Sequence, residues 1–359
     1  MHFTDSSTRG LRRLGVSALF DNLFYRKGAL VMKKRLAFLV PTAIVLAFAL
    51  FNFSIYMLLT ARLANNFSSA SQAKMIDVAK FLPFEESSDL ARIDSSLKLT
   101  EDLPVLDGAA ALVPVYAAIV NAVYPEDSVT YEGGKFSDDN YYGENFAPDS
   151  KMQYKNTVRG YKAIVDGDTD ILFCAAPSAE QKQYAEEQGV ELVYVPVGLE
   201  AFVFFANEKN PVDSLTVEEI RSIYAGEIRN WSEVGGANRA INPVTRLAGS
   251  GSQSAMDSFM GDRKTAPKSP LAIFGASIGF SFRYYMDGIV GNESVKMIAL
   301  NGVYPSEENI QNGTYPVIAK FYAIYRADNE NPNIPLLIDW ILSDEGQTLI
   351  EQSGYVRIN

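Results

Sequence analysis

Arg246-Leu247-Ala248-Gly249-Ser250-Gly251-Ser252-Gln253 is the most informative stretch of this chain. The two glycines let the backbone curl without Cβ clashes. Successive N–H groups can then face one concavity, a nest for an anion. Asn242–Arg246 upstream reads as a strand, and Met256, Phe259 and Met260 downstream mark a helix that Gly261 ends. That helix would add unpaired donors and the positive end of its dipole. Ser250 and Ser252 offer hydroxyls, and Arg246 a planar, fixed positive charge suited to an oxyanion. The same letters also fit a plain Gly/Ser loop capped by Ser252. They are not a P-loop, because no Gly-Lys-Ser/Thr follows at the required spacing.

Strand–loop–helix units recur outward from this stretch. Pro114 to Val123 reads as a helix after the turn Asp107-Gly108-Ala109-Ala110-Ala111, and Thr157 to Val165 as an amphipathic helix stopped by Gly167. Asp170–Cys174 is a short apolar strand, while Leu192–Val195 and Ala201–Ala206 read as two more. Ser178-Ala179-Glu180-Gln181 and Thr216-Val217-Glu218-Glu219 are capping boxes that open helices. Phe321–Tyr325 reads as a strand, and Leu336–Leu349 as one terminal helix containing Trp340. Alternating elements of this kind predict an α/β fold with ligand-facing helix N-termini at the carboxyl ends of strands. Two such starts lie upstream: the turn ending in Ala110 and Ala111, and Asn156-Thr157, where Thr157 is a natural N-cap whose hydroxyl could instead face a ligand.

The N-terminal part is of another kind. No charged residue occurs from Leu36 to Ala61, a run long enough to cross a membrane as a helix. Residues 1–35 carry eight basic and two acidic side chains, so by the positive-inside rule this end stays in the cytoplasm. The expectation is an uncleaved single-pass anchor at 36–61, since signal-peptide cores run only about 7–15 residues. No cysteine follows the run to carry a lipid. Met32-Lys33-Lys34-Arg35 would also make a natural translation start.

The net charge of −11 leaves the chain beyond residue 35 near −17, which argues against nucleic acid as a partner. Cys174 is the one cysteine and His2 the one histidine. Ser-His-Asp and Cys-His catalysis are therefore excluded from the exported part, as is a thiolate zinc site. We expect no catalytic residues, no metal and no cofactor. Trp231 and Trp340 read as packing residues, Cys174 as a small buried hydrophobe, and Phe280, Phe282, Tyr284 and Tyr285 as core or lobe surface.

Several stretches together resemble the phosphate-binding components of ABC-type phosphate importers, within the type II periplasmic-binding-protein fold. They are Leu106–Ala111 with Pro114, Asp170–Phe173 with Pro177-Ser178, Ala201–Phe204, Leu215–Trp231, Arg246–Gln253, Ile278-Gly279-Phe280 and Asn301–Pro305. The similarity runs from about Leu103 to Asn359. The resemblance implies a two-lobed α/β protein, preceded here by one transmembrane helix, that closes on phosphate or a similar oxyanion and delivers it to ABC permease subunits. The family's arginine and its Ser-Gly-Thr fall on Arg246 and Ser250-Gly251-Ser252, and its second-loop hydroxyl on Thr157. Its first-loop hydroxyl falls on Ala110, leaving only the amides of Ala110 and Ala111. Its ligand-facing Asp should follow the strand at Phe173-Cys174-Ala175-Ala176-Pro177, where no acid is present. The departures imply weaker discrimination of phosphate from sulfate. They also motivate an alternative, a membrane-anchored sensor or scaffold with a divergent solute-binding fold. The expected layout is a basic cytoplasmic segment at 1–35, an anchor at 36–61, a tether at 62–98, lobe one at 99–200 plus 320–359, and lobe two at 207–318, the binding domain lying outside the cell membrane.

Overall fold

The computed structural model describes residues 38–57, 76–133, 146–246, 248–267, 275–286 and 294–358. The expected basic segment 1–35, the ends of the 36–61 run, residues 62–75 of the expected tether and Leu247 lie outside the described residues. The first described element is helix α1, Phe38–Met57, of 20 residues with mean hydropathy 2.2. At 1.5 Å per residue it is about 30 Å long, the thickness of a hydrocarbon core. Two of its polar side chains bond within the helix: Thr42 Oγ1 donates to the Phe38 carbonyl at 2.8 Å and Asn52 Nδ2 to that of Phe48 at 2.7 Å. Such internal satisfaction is what lipid requires.

The second unit, Ser71–Asn359, is built on an eight-stranded sheet. Its strands are β1 (Leu106–Gly108), β2 (Ile171–Ala175), β3 (Leu192–Asn207), β4 (Ser214–Leu215), β5 (Ile241–Pro243), β6 (Ala276–Phe282), β7 (Val295–Leu300) and β8 (Ile318–Arg326). The principal order is β1-β2-β8-β3-β6-β5, with β7 pairing β3 and β4. Pairs β1/β2, β5/β6 and β4/β7 are parallel, whereas β3 is antiparallel to β8, β6 and β7. The helices are α2 (Val113–Val123), α3 (Asn156–Asp166), α4 (Ala179–Glu187), α5 (Val217–Tyr224), α6 (Gly251–Met260), α7 (Glu307–Gln311), α8 (Asn333–Leu342) and α9 (Asp344–Gln352).

The stretches expected as two strands, Leu192–Val195 and Ala201–Ala206, form the single strand β3. Its first part, Leu192–Ala201, pairs β8, and its last part, Phe202–Asn207, pairs β6 and β7. The register shifts between Pro196 and Gly198, where a bulge absorbs the proline that breaks the sequence pattern. The terminal helix expected at Leu336–Leu349 is two helices. Ser343 is the C-cap of α8 and the N-cap of α9, its Oγ accepting from Gly346 N. A serine in extended conformation stops one helix and starts the next.

Three apolar clusters sit around this sheet. One joins α2, α8, α9 and the β1–β2–β8 edge through Tyr116, Ile119, Phe173, Phe321, Leu337 and Ile341. A second joins α5, α6 and β3, β6 and β7 through Phe202, Phe204, Tyr224, Trp231, Met256 and Phe280. A smaller one, with Tyr161, Leu172, Cys174 and Ile324, seats α3 on β2 and β8. The packed body begins before Leu99, within the stretch expected as a tether. Ile76 and Val78 are buried in the first cluster with Phe81, Leu90 and Leu99. These apolar residues are too widely spaced to show a helix or strand period.

β3 leads from the first cluster to the second, and a buried polar knot sits beside that passage. Glu200 accepts from the backbone N–H of Ala201 at 2.8 Å and of Tyr284 at 3.2 Å, and lies 3.8 Å from Arg283 Nε. Arg283 Nη2 donates to the Gly354 carbonyl at 2.8 Å. The knot ties β3, the end of β6 and the C-terminal segment together.

Candidate functional site

The site begins at the carboxyl end of β1. Asp107 is fully buried, and its Oδ1 accepts from Gly108 N at 2.7 Å and Lys155 N at 2.8 Å. Its Oδ2 lies 3.4 Å from Lys155 Nζ. Burial raises the Asp107 carboxyl above the ordinary carboxylate range, against the opposing pull of Lys155. Asp107 thus clamps the start of α3 to the end of β1. Gly108 must be glycine, since a Cβ there would lie 2.6 Å from Tyr116 Cε1 and 2.8 Å from the Phe173 carbonyl oxygen. This close approach lets the chain turn at once into the 3-10 turn Ala110–Leu112 and then α2.

The N-cap position of α3 is Lys155, without a side-chain cap bond, and not Thr157 as expected; Asn156 is the first residue of the helix. Asn156 has φ of 60°, a left-handed conformation that asparagine tolerates. Its Oδ1 accepts from Thr157 N at 2.7 Å and from Ala110 N at 3.3 Å. One side-chain oxygen therefore gathers donors from two chain segments. This role is invisible in sequence, because it depends on the fold bringing Ala110 to Asn156. The Thr157 hydroxyl hydrogen-bonds Cys174, whose thiol burial pushes up to about 12. Ala111 turns its carbonyl to the Tyr355 hydroxyl.

On the opposite side, Ser250 is the N-cap of α6, its Oγ accepting from Gln253 N at 3.3 Å. Gln253 Oε1 in turn accepts from Arg246 N at 2.8 Å, and its Nε2 donates to Asp257 at 2.8 Å. Gln253 thereby staples the glycine loop to its own helix. Gly249 has φ of 74°, where a side chain would be strained. Gln181 Nε2, from α4, reaches the Gly249 carbonyl at 3.4 Å.

The starts of α3 and α6 meet. A Cβ built on Gly251 would lie 3.7 Å from Thr157 Oγ1, 3.9 Å from Ala175 Cβ and 4.0 Å from Phe282 Cε2. Thr157, Gly251 and the end of β2 therefore come together, and Ala110 joins them through Asn156. Two cavities open beside this point. One, of about 350 Å³, includes Ala175, Ala176, Gly251 and Ser254. The other, of about 430 Å³, is lined by Arg246, Gln253, Asp257, Arg263 and Lys264. Arg246 hence lies on a different cavity from Gly251, and it hydrogen-bonds Tyr285. Burial raises the Tyr285 phenol, and the Arg246 charge opposes that rise. The hydroxyl of Ser252, a half-buried residue, makes no hydrogen bond to a described residue. Among the described residues no group of three His, Cys, Asp or Glu side chains could hold a metal ion.

The amides of Thr157 and Ala110 are taken by Asn156 Oδ1, so the donors left to a ligand are the first N–H groups of α6, which have no partner within the helix. A dianion accepts hydrogen bonds and donates few, so such a surface suits it. Comparison with known proteins agrees in fold. The chain is 25% identical over 295 residues to Protein SphX of Synechococcus elongatus, a match covering 71% of this chain and 86% of that one. It is 23% identical to phosphate-binding protein PstS of Bacillus subtilis over 60% of this chain and 73% of that one. A putative phosphate ABC transporter substrate-binding protein from Clostridium perfringens, solved with bound phosphate, superposes with TM-score 0.53 at 24% identity, covering 73% of this chain and all of that one. The family model for the PBP superfamily domain matches residues 138–345, taking in both α3 and α6, and by that match the chain belongs to the PBP superfamily.

Proposed function

We propose that this protein is an extracytoplasmic solute-binding protein that captures phosphate or a similar small oxyanion for an ABC-type importer. The observation that carries this reading is the meeting of Thr157 with Gly251, which joins the starts of α3 and α6 in one place. Relatives named phosphate-binding proteins, and a solved neighbour holding phosphate, support the class of ligand. In this reading lobe one is 99–200 plus 320–359 and lobe two is 207–318, hinged where β3 and β8 pass between them. The oxyanion sits at the N-terminus of α6, on the amides of Gly251 and Ser252 with the Ser250 hydroxyl. Thr157 and the amide of Ala111 approach from lobe one, and the Ala110 amide would have to exchange Asn156 Oδ1 for the ligand. Arg246 supplies positive charge from behind the same loop. The chain is no enzyme. Its anchor is the apolar segment 36–61, with the binding body outside the membrane and the permease subunits as its partners.

A thermal-shift series of the full-length chain in detergent against oxyanions tests the ligand class. A micromolar binder at millimolar concentration adds about 4 kcal/mol to stability. Absence of any shift with phosphate, sulfate and related ions would count against the reading. Membrane fractionation tests the anchor. Full-length chain in the membrane supports it, and release of a shortened soluble form opposes it.

A further inference from the structure

The cavity beside Gly251 is larger and less polar than a bare tetrahedral oxyanion needs. At about 350 Å³ it falls within the ~300–1,000 Å³ usual for organic ligands. One wall is aromatic, from Phe202, Phe259 and Phe282, with Tyr322 beside them. These rings are already packed on one another, Phe202 lying 5.8 Å from Phe282 and 6.4 Å from Phe259 between centroids. They form a fixed surface, ready to receive an apolar group without reordering.

Polar groups gather at the other end. Ser254, one turn into α6, is only 9% exposed, and its hydroxyl hydrogen-bonds no described residue. Ser254 lines the cavity, where its hydroxyl can donate to and accept from a ligand. Two cations line the same space. Arg221 donates through Nε to the Phe259 carbonyl at 2.9 Å and lies 5.1 Å from the Phe259 ring centroid. That contact fixes the guanidinium plane and leaves its two Nη groups without a partner among the described residues. Lys320, on β8, pairs with no described residue.

Resting on the oxyanion reading above, we propose that the favoured ligand is a monosubstituted phosphorus oxyanion, a phosphonate or phosphate monoester bearing an apolar group. Its anionic head takes the Gly251 amide and the Ser254 hydroxyl, with Arg221 and Lys320 supplying charge. Its organic group lies on Phe202 and Phe282. The alanines at 175 and 176 fit this reading, because short apolar side chains there leave the cavity open to such a group.

The test is calorimetric titration of the full-length chain in detergent with inorganic phosphate and with phenylphosphonate. Phenylphosphonate is expected to bind at least tenfold more tightly. Phe282→Ala should weaken phenylphosphonate at least fivefold and leave phosphate within twofold. Lys320→Gln, at an exposed position that does not threaten folding, should weaken phenylphosphonate at least threefold at unchanged melting temperature. Phosphate binding as tightly as phenylphosphonate, or Lys320→Gln without effect, would overturn the inference while leaving the oxyanion reading intact. Heat from neither ligand would remove both.

Discussion

Asp107 offers a sharp test of how the site is held. Its two short hydrogen bonds, from Gly108 N and Lys155 N, both end on Oδ1. Oδ2 meets only Lys155 Nζ at 3.4 Å and Thr169 Oγ1 at 3.5 Å. Asn in place of Asp keeps an acceptor at the Oδ1 position and offers Thr169 a donor. What it loses is the ion pair with Lys155, whose side chain is 30% exposed. A pair with one partly solvated member contributes about 0–1 kcal/mol. Asp107→Asn should therefore cost no more than about 1 kcal/mol. Asp107→Ala strands both amides, at about 1–3 kcal/mol each, so roughly 2–6 kcal/mol in all. At about 2 °C per kcal/mol for a body of this size, the melting temperature should fall by no more than about 2 °C for Asn and by about 4–12 °C for Ala. Differential scanning calorimetry reads both. Equal losses in the two variants would refute the reasoning, because they would mean that the charge and not the acceptor clamps α3.

The same carboxyl predicts a pH dependence. Burial raises the folded value above the unfolded one, so the folded state binds the proton more tightly; relative to Asp107→Asn, the stability this group contributes is full below the unfolded value and is lost as pH rises through the raised one, which denaturant titrations at successive pH values would follow. Gly251→Ala makes only ordinary van der Waals contacts of 3.7 Å and longer, so melting should hold steady while oxyanion affinity drops at least fivefold by calorimetry. Arg246 faces the other cavity, so Arg246→Ala should weaken oxyanion binding by no more than about 1 kcal/mol in the same assay, the range for a partly solvated charge pair. Cys174, buried with its thiol pushed up to about 12, should resist iodoacetamide at pH 8 in the folded chain and react once unfolded.

Local signals in the sequence located most helices. The capping boxes at Ser178 and Thr216 form as read, with both reciprocal hydrogen bonds. Trp231 is buried, and Cys174 is fully so. What failed had a physical cause in each case. The bulge at Pro196–Gly198 hides the continuity of β3, because its pairing with β8 is a long-range fact. Ser343 splits a run whose apolar period continues through the break. The letters of β6 and β7 do not announce strands, because β6 is covered on both faces through its middle and β7 alternates only at its end. At the site, the glycine loop was legible from residue type, but the cap of α6 is Ser250 and not Ser252, the residue the letters suggested. Asn156 and Ser254 were not legible. Their roles depend on which segments the fold brings to them, and neither residue type is distinctive in its local setting.

The most direct measurement is isothermal titration of the full-length chain, in detergent, with inorganic phosphate, sulfate and phenylphosphonate. Oxyanion capture predicts saturable one-site binding for at least one phosphorus oxyanion, with poor discrimination between phosphate and sulfate because no acid follows β2 at Ala175-Ala176-Pro177. Absence of saturable heat with every one of these ions, from a chain whose melting transition shows it folded, would contradict it.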